Sequence, residues 1–499
     1  MPFNFYSMKK ILILFLIYSN ALFSQDKSGH QWVLGNFSHL DFTSGQLILK
    51  SINPLPQYGV GFDNTTLSDS SGNILLSTGG CFILNKEFKL LSGGDSINSP
   101  FTYRSWCKEK EDGDFPVQQN NIILPYPDSP YLKVVFNLDL DRFPNGISLP
   151  PIPYKLHYHI VDMRLKNGLG AVVEFKKIAI SDTLAMGGVK AIKHKNGKNW
   201  WIVVPKWNSN CLLITELTPT GLKPFTKQCM GITWNILDDA SNQIDASPDA
   251  SLIARVSNKT FASVYQFNNS TGILSNPMTL TFPVQDTIAY LRGVAFSTNS
   301  RYLYLASRSD LFQYDLKAID VQQSRQLIAD LSKTIFKPGQ GELYFAKLAP
   351  DGKIYISSPF FHKYLSVINR PNCPGTLCDF KPHAIELPYA NYSSLPNNAL
   401  FSTPPANYTC DSLNTATEEI FENFTVFPNP TTGILTINTA NQNVENFDIE
   451  IINLNGQVLK REILRGVNPE MNIQELASGL YFLKIKTAQG IGITKIFKQ

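Results

Sequence analysis

Between about residue 30 and residue 400 the apolar positions fall in short runs of four to eight, rich in β-branched and aromatic residues and cut by polar turns. The run SPDASLIARV from Ser247 is followed by STNSRYLYLAS from Ser297 and APDGKIYISS from Ala349. Asp249, Asn299 and Asp351 hold the same turn position, 50 residues apart (249 to 299) and then 52 (299 to 351). HKNGKNWWIVV from His194, DSSGNILLSTGG from Asp69 and PDSPYLKVVF from Pro127 repeat the plan. An Asx side chain bonds nearby backbone in a tight turn, so each unit reads as turn, strand, break, strand. No helical period intervenes. Six such hairpins at this spacing predict the four-stranded blades of a β-propeller. QWVLGNFSHLDFTSGQLIL from Gln31 supplies further outer strands, and YSSLPNNALF from Tyr392 supplies one inner strand. Pairing the two gives a composite blade that joins the chain ends and removes a sheet edge. Seven blades are expected, with six as the alternative.

A different pattern opens the chain. Lys9 and Lys10 precede an apolar run from Ile11 to Phe23, and Ser24 precedes Gln25. This predicts a secretory signal peptide over 1–24, since a run of about 13 residues is too short for a bilayer core of about 30 Å. No later apolar stretch reaches that length. At the other end, after Pro404-Pro405, residues 406–423 are polar and aperiodic and read as a linker. Alternation then resumes in ILTIN, IEIIN, YFLKIK and ITKIF, with hairpin turns about Asn455-Gly456 and Gln489-Gly490, so 424–499 reads as a small β-sandwich.

Composition agrees with an all-β, exported chain. Hydrophobic residues make up 43% and charged residues 17%, as in folded proteins, and 12% aromatics favour strands. A net charge of +4 offers no electrostatic basis for binding nucleic acid. Seven cysteines lie in the exported part, where disulfides persist, and an odd count leaves one unpaired. Cys373 and Cys378, closing CPGTLC around a Pro-Gly turn, form the nearest pair; Cys81 with Cys107 and Cys211 with Cys229 are further candidates.

Two resemblances follow from these phrases. WVLGN with LDFTSG, LSDSSGNILLSTGGC, VDMRLKNGLG, AIKHKNGKNWWIVV, ASPDASL, QFNNSTGILSNP and LAPDGKIYISSP, in order over about 31–405, resemble exported propeller domains of Bacteroidota surface proteins, which implies a propeller over 26–405 and no particular reaction. FPNPTTGILTI, the L-N-G-Q-V turn, LASGLYFLKI and the closing K-I-F-K resemble the type A C-terminal sorting domain of the type IX secretion system. On that resemblance Phe427, Pro428, Asn429, Pro430, Thr431, Thr432, Gly433, Gly479, Tyr481 and Lys495 belong to a sorting signal. It implies the type IX machinery as a partner and a cell-surface or extracellular destination.

Candidate chemistry is sparse. Propeller ligands bind where loops joining second to third strands, and one blade to the next, converge. The predicted strands assign these loops Lys206, Trp207 and Asn208, then Arg308, then Phe360, Phe361 and His362, with Arg104 and Trp106 between the first two blades. Aromatics beside cations suit stacking on sugars or peptides; otherwise Trp207 and the Phe pair pack between blades. His157 and His159 share a strand face without a third ligand, which predicts exposed histidines and no metal centre. Asp139-Asp141 and Asp238-Asp239 suit calcium or acid–base work, and equally suit turns. No G-x-S-x-G, Walker or H-E-x-x-H motif occurs, so no catalytic residue or cofactor is assigned. A binding protein for an extracellular glycan, peptide or matrix component is expected, with a polymer hydrolase or lyase as the alternative.

Overall fold

The computed structural model describes residues 26–499 except 36, 54, 109–114, 142–151, 236–237, 240–242, 260, 282–290, 339, 394, 405, 407, 411–423, 440–445, 454–457 and 488–489. The expected leader, most of the expected linker, and the expected turn residues Asn455, Gly456 and Gln489 lie outside these. The chain divides into two compact units, Met1–Cys410 and Asp411–Gln499.

The described strands of the first unit form seven antiparallel sheets, which are the blades of a propeller. Blade 1 comprises Thr65–Ser68, Ile74–Thr78 and Ile83–Asn85; blade 2 comprises Asn121–Pro125, Leu132–Asp141, Ile152–Asp162 and Ala171–Ser181. Blade 3 starts with Lys190–Lys193, Trp200–Pro205 and Cys211–Thr218, and its outer edge pairs with Gly221–Leu222 and Thr226–Cys229. Blade 4 holds Ile244–Ala246, Leu252–Val256, Phe261–Asn268 and Ile273–Thr281; blade 5 holds Leu291–Phe296, Tyr302–Ser307, Asp310–Asp315 and Gln326–Asp330. Blade 6 holds Ala346–Leu348, Ile354–Ile356, Phe361–Ile368 and Phe380–Tyr392, and blade 7 holds Gln31–Leu34, Ser38–Asp41 and Ile48–Ser51.

Side chains alternate across a strand, and here both faces of a blade meet a neighbour. Ile122, Val134 and Phe136 pack towards blade 3, whereas Ile123 and Val135 pack towards blade 1. Leu303 and Leu305 likewise face blade 4, and Tyr304 faces blade 6. This is why the strands read as nearly continuous apolar runs. The ring closes through two further clusters, Trp32 and Leu40 against Tyr355 and Leu365, and Val33 and Phe37 against Phe82 and Leu84.

The chain ends meet as a composite blade requires, but by a different bond. Residues 395–401 lie in no strand ladder; Asn398 Nδ2 donates to Gln31 O at 3.2 Å, and Asn397 N donates to Asn64 O at 2.9 Å. Asn397 Nδ2 also reaches Asn121 O (2.8 Å) and Val189 O (2.7 Å), so this segment threads the ring's axis and touches several inner strands.

The predicted turn chemistry is visible atom by atom. Asp69 Oδ1 accepts from Ser71 N at 2.9 Å, Asp249 Oδ1 from Ser251 N at 3.1 Å, and Asn299 Oδ1 from Arg301 N at 3.1 Å. Asp351 Oδ1 accepts from Lys353 N at 3.2 Å.

Cys81 joins Cys107, and Cys211 joins Cys229. The Cys373–Cys378 pairing is corrected: Cys373 bonds to Cys410, and Cys378 is a buried thiol in the core between blades 5 and 6. The Pro-Gly turn continues into a short helix, Gly375–Cys378, that carries Cys378 inwards. Cys410 and Tyr408, within the expected linker, are tied to the propeller; Asn372 N donates to the Tyr408 hydroxyl at 3.1 Å.

The second unit packs the sheet of Phe424–Phe427, Ile434–Thr439 and Glu470–Asn472 on that of Val458–Arg465, Asn446–Ile452, Gly479–Thr487 and Gly490–Lys498. Alternation places Phe447, Ile449, Ile451, Leu483 and Ile485 in one core with Leu435, Ile437 and Met471. Asn429 bridges the last strand: its Nδ2 donates to Lys495 O (2.8 Å) and its Oδ1 accepts from Phe497 N (2.9 Å). Thr431 N donates to Phe497 O at 2.8 Å, and Gln499 N donates to Thr431 O at 2.8 Å. The PNPTTG turn and the closing basic segment are therefore one structural feature. Gly433 sits at φ 148°, where a Cβ would come within 2.2 Å of Gln474 Cγ.

Candidate functional site

Strand direction alternates within each blade, so turns joining first to second strands lie at one end of the ring. Loops joining second to third strands, and blade-to-blade connections, lie at the other. All nine candidate ligand residues belong to this second, loop-bearing end, but the structure divides them into separate neighbourhoods.

In blade 3, Lys206 is ion-paired with Asp182 and donates to Thr183 Oγ1 at 3.1 Å, while Trp207 N donates to Thr183 O at 3.1 Å. Asn208, at φ 52°, donates its N–H to the Asp239 carboxylate. Asp239 is buried against Arg255, whose guanidinium lies 3.8 Å from the Trp234 ring centroid. Burial pushes the Asp239 carboxyl up, against the opposing pull of Arg255.

Arg308 pairs with Glu342, and the neighbouring Gly341 packs on the His362 ring, where a Cβ would come within 2.5 Å. Those two candidates thus share one loop, which is also held by His383 Nε2 on Gly341 O at 2.7 Å. Phe360 has φ 62°, and its N–H donates to Ser393 Oγ at 2.6 Å. Phe360 and Phe361 are 68% and 59% exposed, unlike the apolar side chains that fill the blade interfaces. Behind them, Phe361 meets Tyr392 at 4.6 Å between ring centroids, and Phe62 meets Tyr392 at 5.5 Å. Arg104 is exposed and donates to Pro100 O at 3.1 Å, and Trp106 packs edge-on against Phe101 at 5.6 Å. Phe62, Tyr392, Ser393 and Glu342 were not foreseen. Only Tyr392, an aromatic at the start of the closing phrase, carries a local signal.

The histidine pair departs from the expected exposure: His157 and His159 are 6% and 0% exposed. At these two positions the strand is covered by its neighbours, so neither ring meets solvent. His159 Nε2 lies 3.0 Å from Asn137 Oδ1, and burial drives its pKa down to about 3. Among the described residues no group of three His, Cys, Asp or Glu is placed to hold a metal.

A second polar site lies inside the ring, where sequence reading assigned nothing. Lys190 and Asp245 form a buried ion pair between the inner strands of blades 3 and 4. Lys347, from the inner strand of blade 6, donates to Asn398 O at 2.9 Å. Burial first, and then the like charge of Lys190, push the Lys347 ammonium down to about 7, with Asp245 opposing. These groups border a cavity of about 80 Å³ walled also by Trp32, Phe296 and Phe401. A charged residue inside an otherwise apolar strand, as in FAKLAP, was the available signal.

This geometry defines a seven-bladed β-propeller carrying a separate C-terminal β-sandwich. Residues 425–499 match the family described as Secretion system C-terminal sorting domain. The sandwich is thus a type IX secretion sorting tail, which marks the protein for export across the outer membrane to the cell surface or beyond. No curated protein is similar to the chain. Among solved structures, it resembles a protein from Lactobacillus plantarum (14% identity, TM-score 0.33, 71% of this chain and 87% of that one). It also resembles the extracellular domain of a proposed one-component system from B. thetaiotaomicron (12%, 0.37, 95% and 56%). A third is the β-propeller domain of Cps50 (Swd1) from Myceliophteria thermophila (9%, 0.35, 67% and 91%).

Proposed function

We propose that residues 26–405 act as a non-enzymatic binding propeller for an extracellular glycan or peptide, and that 424–499 deliver it through type IX secretion. The observation that carries this reading is the ledge of Phe360 and Phe361, both largely exposed, with Phe361 backed by Tyr392 and Phe62. An aromatic face held in place loses little entropy on stacking against a sugar ring or an apolar side chain. His362 and the Arg308–Glu342 pair stand beside it on the same loop system and supply polar contacts. Replacing both phenylalanines by serine is expected to abolish glycan-array or peptide-array binding of the full chain while lowering its stability by only about 0.5–1.5 kcal/mol, the worth of the Phe361–Tyr392 contact. Unchanged binding would refute the ledge, and release of cleaved polymer by the wild type would replace binding with hydrolase or lyase action.

A further inference from the structure

The cavity inside the ring contains more positive than negative charge. Lys190 is neutralised by Asp245, and both are buried, at 5% and 7% exposure. Lys347, 9% exposed, adds a second ammonium within electrostatic reach of that pair. An ammonium carries three protons, and Lys347 directs one to Asn398 O at 2.9 Å. The other charged lining groups, Asp26 and Lys193, stand towards the rim; His30 is buried and its pKa is lowered, mainly by burial. A buried cation without its own counter-ion either sheds its proton or recruits an anion.

We propose that this cavity binds a small aliphatic carboxylate, its oxygens on Lys347 and its carbons against Trp32, Phe296 and Phe401. A single surplus charge matches a monoanion. The apolar walls suit carbon better than the hydration shell of an inorganic ion. A volume of about 80 Å³ has room for a carboxylate and its first few carbons. The lining includes Ser247, Pro248 and Pro350, which belong to the turns between first and second strands. The cavity therefore lies towards the end of the ring opposite the aromatic ledge, and either site can fail without the other.

Isothermal titration of the full chain with sodium lactate, with glucuronate and with neutral lactamide tests the proposal. Lactate is expected to bind saturably and lactamide not. Glucuronate, whose polar sugar ring exceeds a few carbons, is expected to bind more weakly than lactate, and glucuronate binding as tightly as lactate would overturn the small aliphatic acid. Affinity should fall about tenfold between pH 6 and pH 8, as Lys347 loses its proton. Lys347→Met should weaken lactate by about tenfold or more. Equal heats from lactate and lactamide in the wild type would overturn the proposal whether or not the variant folds. So would undiminished lactate binding by a natively fluorescent Lys347→Met, or chloride competing as well as lactate, which marks an adventitious ion only.

Discussion

Replacing Lys347 by Met should stabilise the propeller at neutral and acid pH, and the gain should shrink as pH rises. An unfolded lysine keeps its proton to about 10.5, whereas the folded state gives it up near 7. Across that window the unfolded chain binds the additional proton, so wild-type stability rises with pH. At about 1.4 kcal/mol per unit, the depressed ammonium costs about 5 kcal/mol below pH 7. Methionine removes that cost but leaves Asn398 O without its donor, a loss of about 1–3 kcal/mol. A net gain of about 3 kcal/mol is expected at pH 6, falling by about 2 kcal/mol between pH 7 and pH 9. All six tryptophans lie in the first unit, so urea unfolding followed by tryptophan fluorescence reports the propeller without the sorting domain. Titrating groups remote from Lys347 cancel in the difference between variant and wild type. A difference that does not change with pH, or a variant less stable at pH 6, would refute the assignment of Lys347 as a destabilising buried cation.

Three further outcomes are expected. Arg255→Ala should cost about 3–5 kcal/mol in the same unfolding assay, because it strands the buried Asp239 carboxylate and uncovers Trp234. Non-reducing peptide mapping should find Cys373 linked to Cys410, with Cys378 unalkylated until the chain is denatured, and Cys410→Ser should cost about 2–4 kcal/mol. Asn429→Ala should weaken the sorting domain by about 1–3 kcal/mol through its two bonds to the last strand and lower the exported fraction on cell fractionation; deletion from Phe427 onward should retain the propeller in the periplasm.

The turns were the most legible part of the fold, because an Asx side chain at a turn acts on backbone two residues away and needs no distant partner. Strand alternation was legible too, but it says which residues share a face and not what covers that face. His157 and His159 show the difference. A two-residue spacing correctly put them together, and in an open sheet that face would meet solvent; in a propeller each face meets another blade. Cys81–Cys107 and Cys211–Cys229 form as the sequence offered them, and only the nearest pair, Cys373 with Cys378, failed, for a related reason. Proximity in sequence favoured Cys378, whereas the backbone direction of Gly375–Cys378 decided for Cys410, 37 residues from Cys373.

The ring's axis shows why the site was harder to read than the fold. Inner strands such as Ile244–Ala246 and Ala346–Leu348 are three residues long, too short for any period to declare itself. Their charged members, Asp245 and Lys347, border one cavity only because the chain closes into a circle. The closing segment is held by amide side chains, which carry no strand signature in SLPNNAL. Asn397 joins blades 1, 2 and 3 through Asn64, Asn121 and Val189, while Asn398 joins blade 7 through Gln31 and blade 6 through Lys347. Those two residues do for closure what a ladder does elsewhere. They also present the carbonyl that holds Lys347, so the contacts that complete the ring are the same ones that position the surplus charge of the cavity.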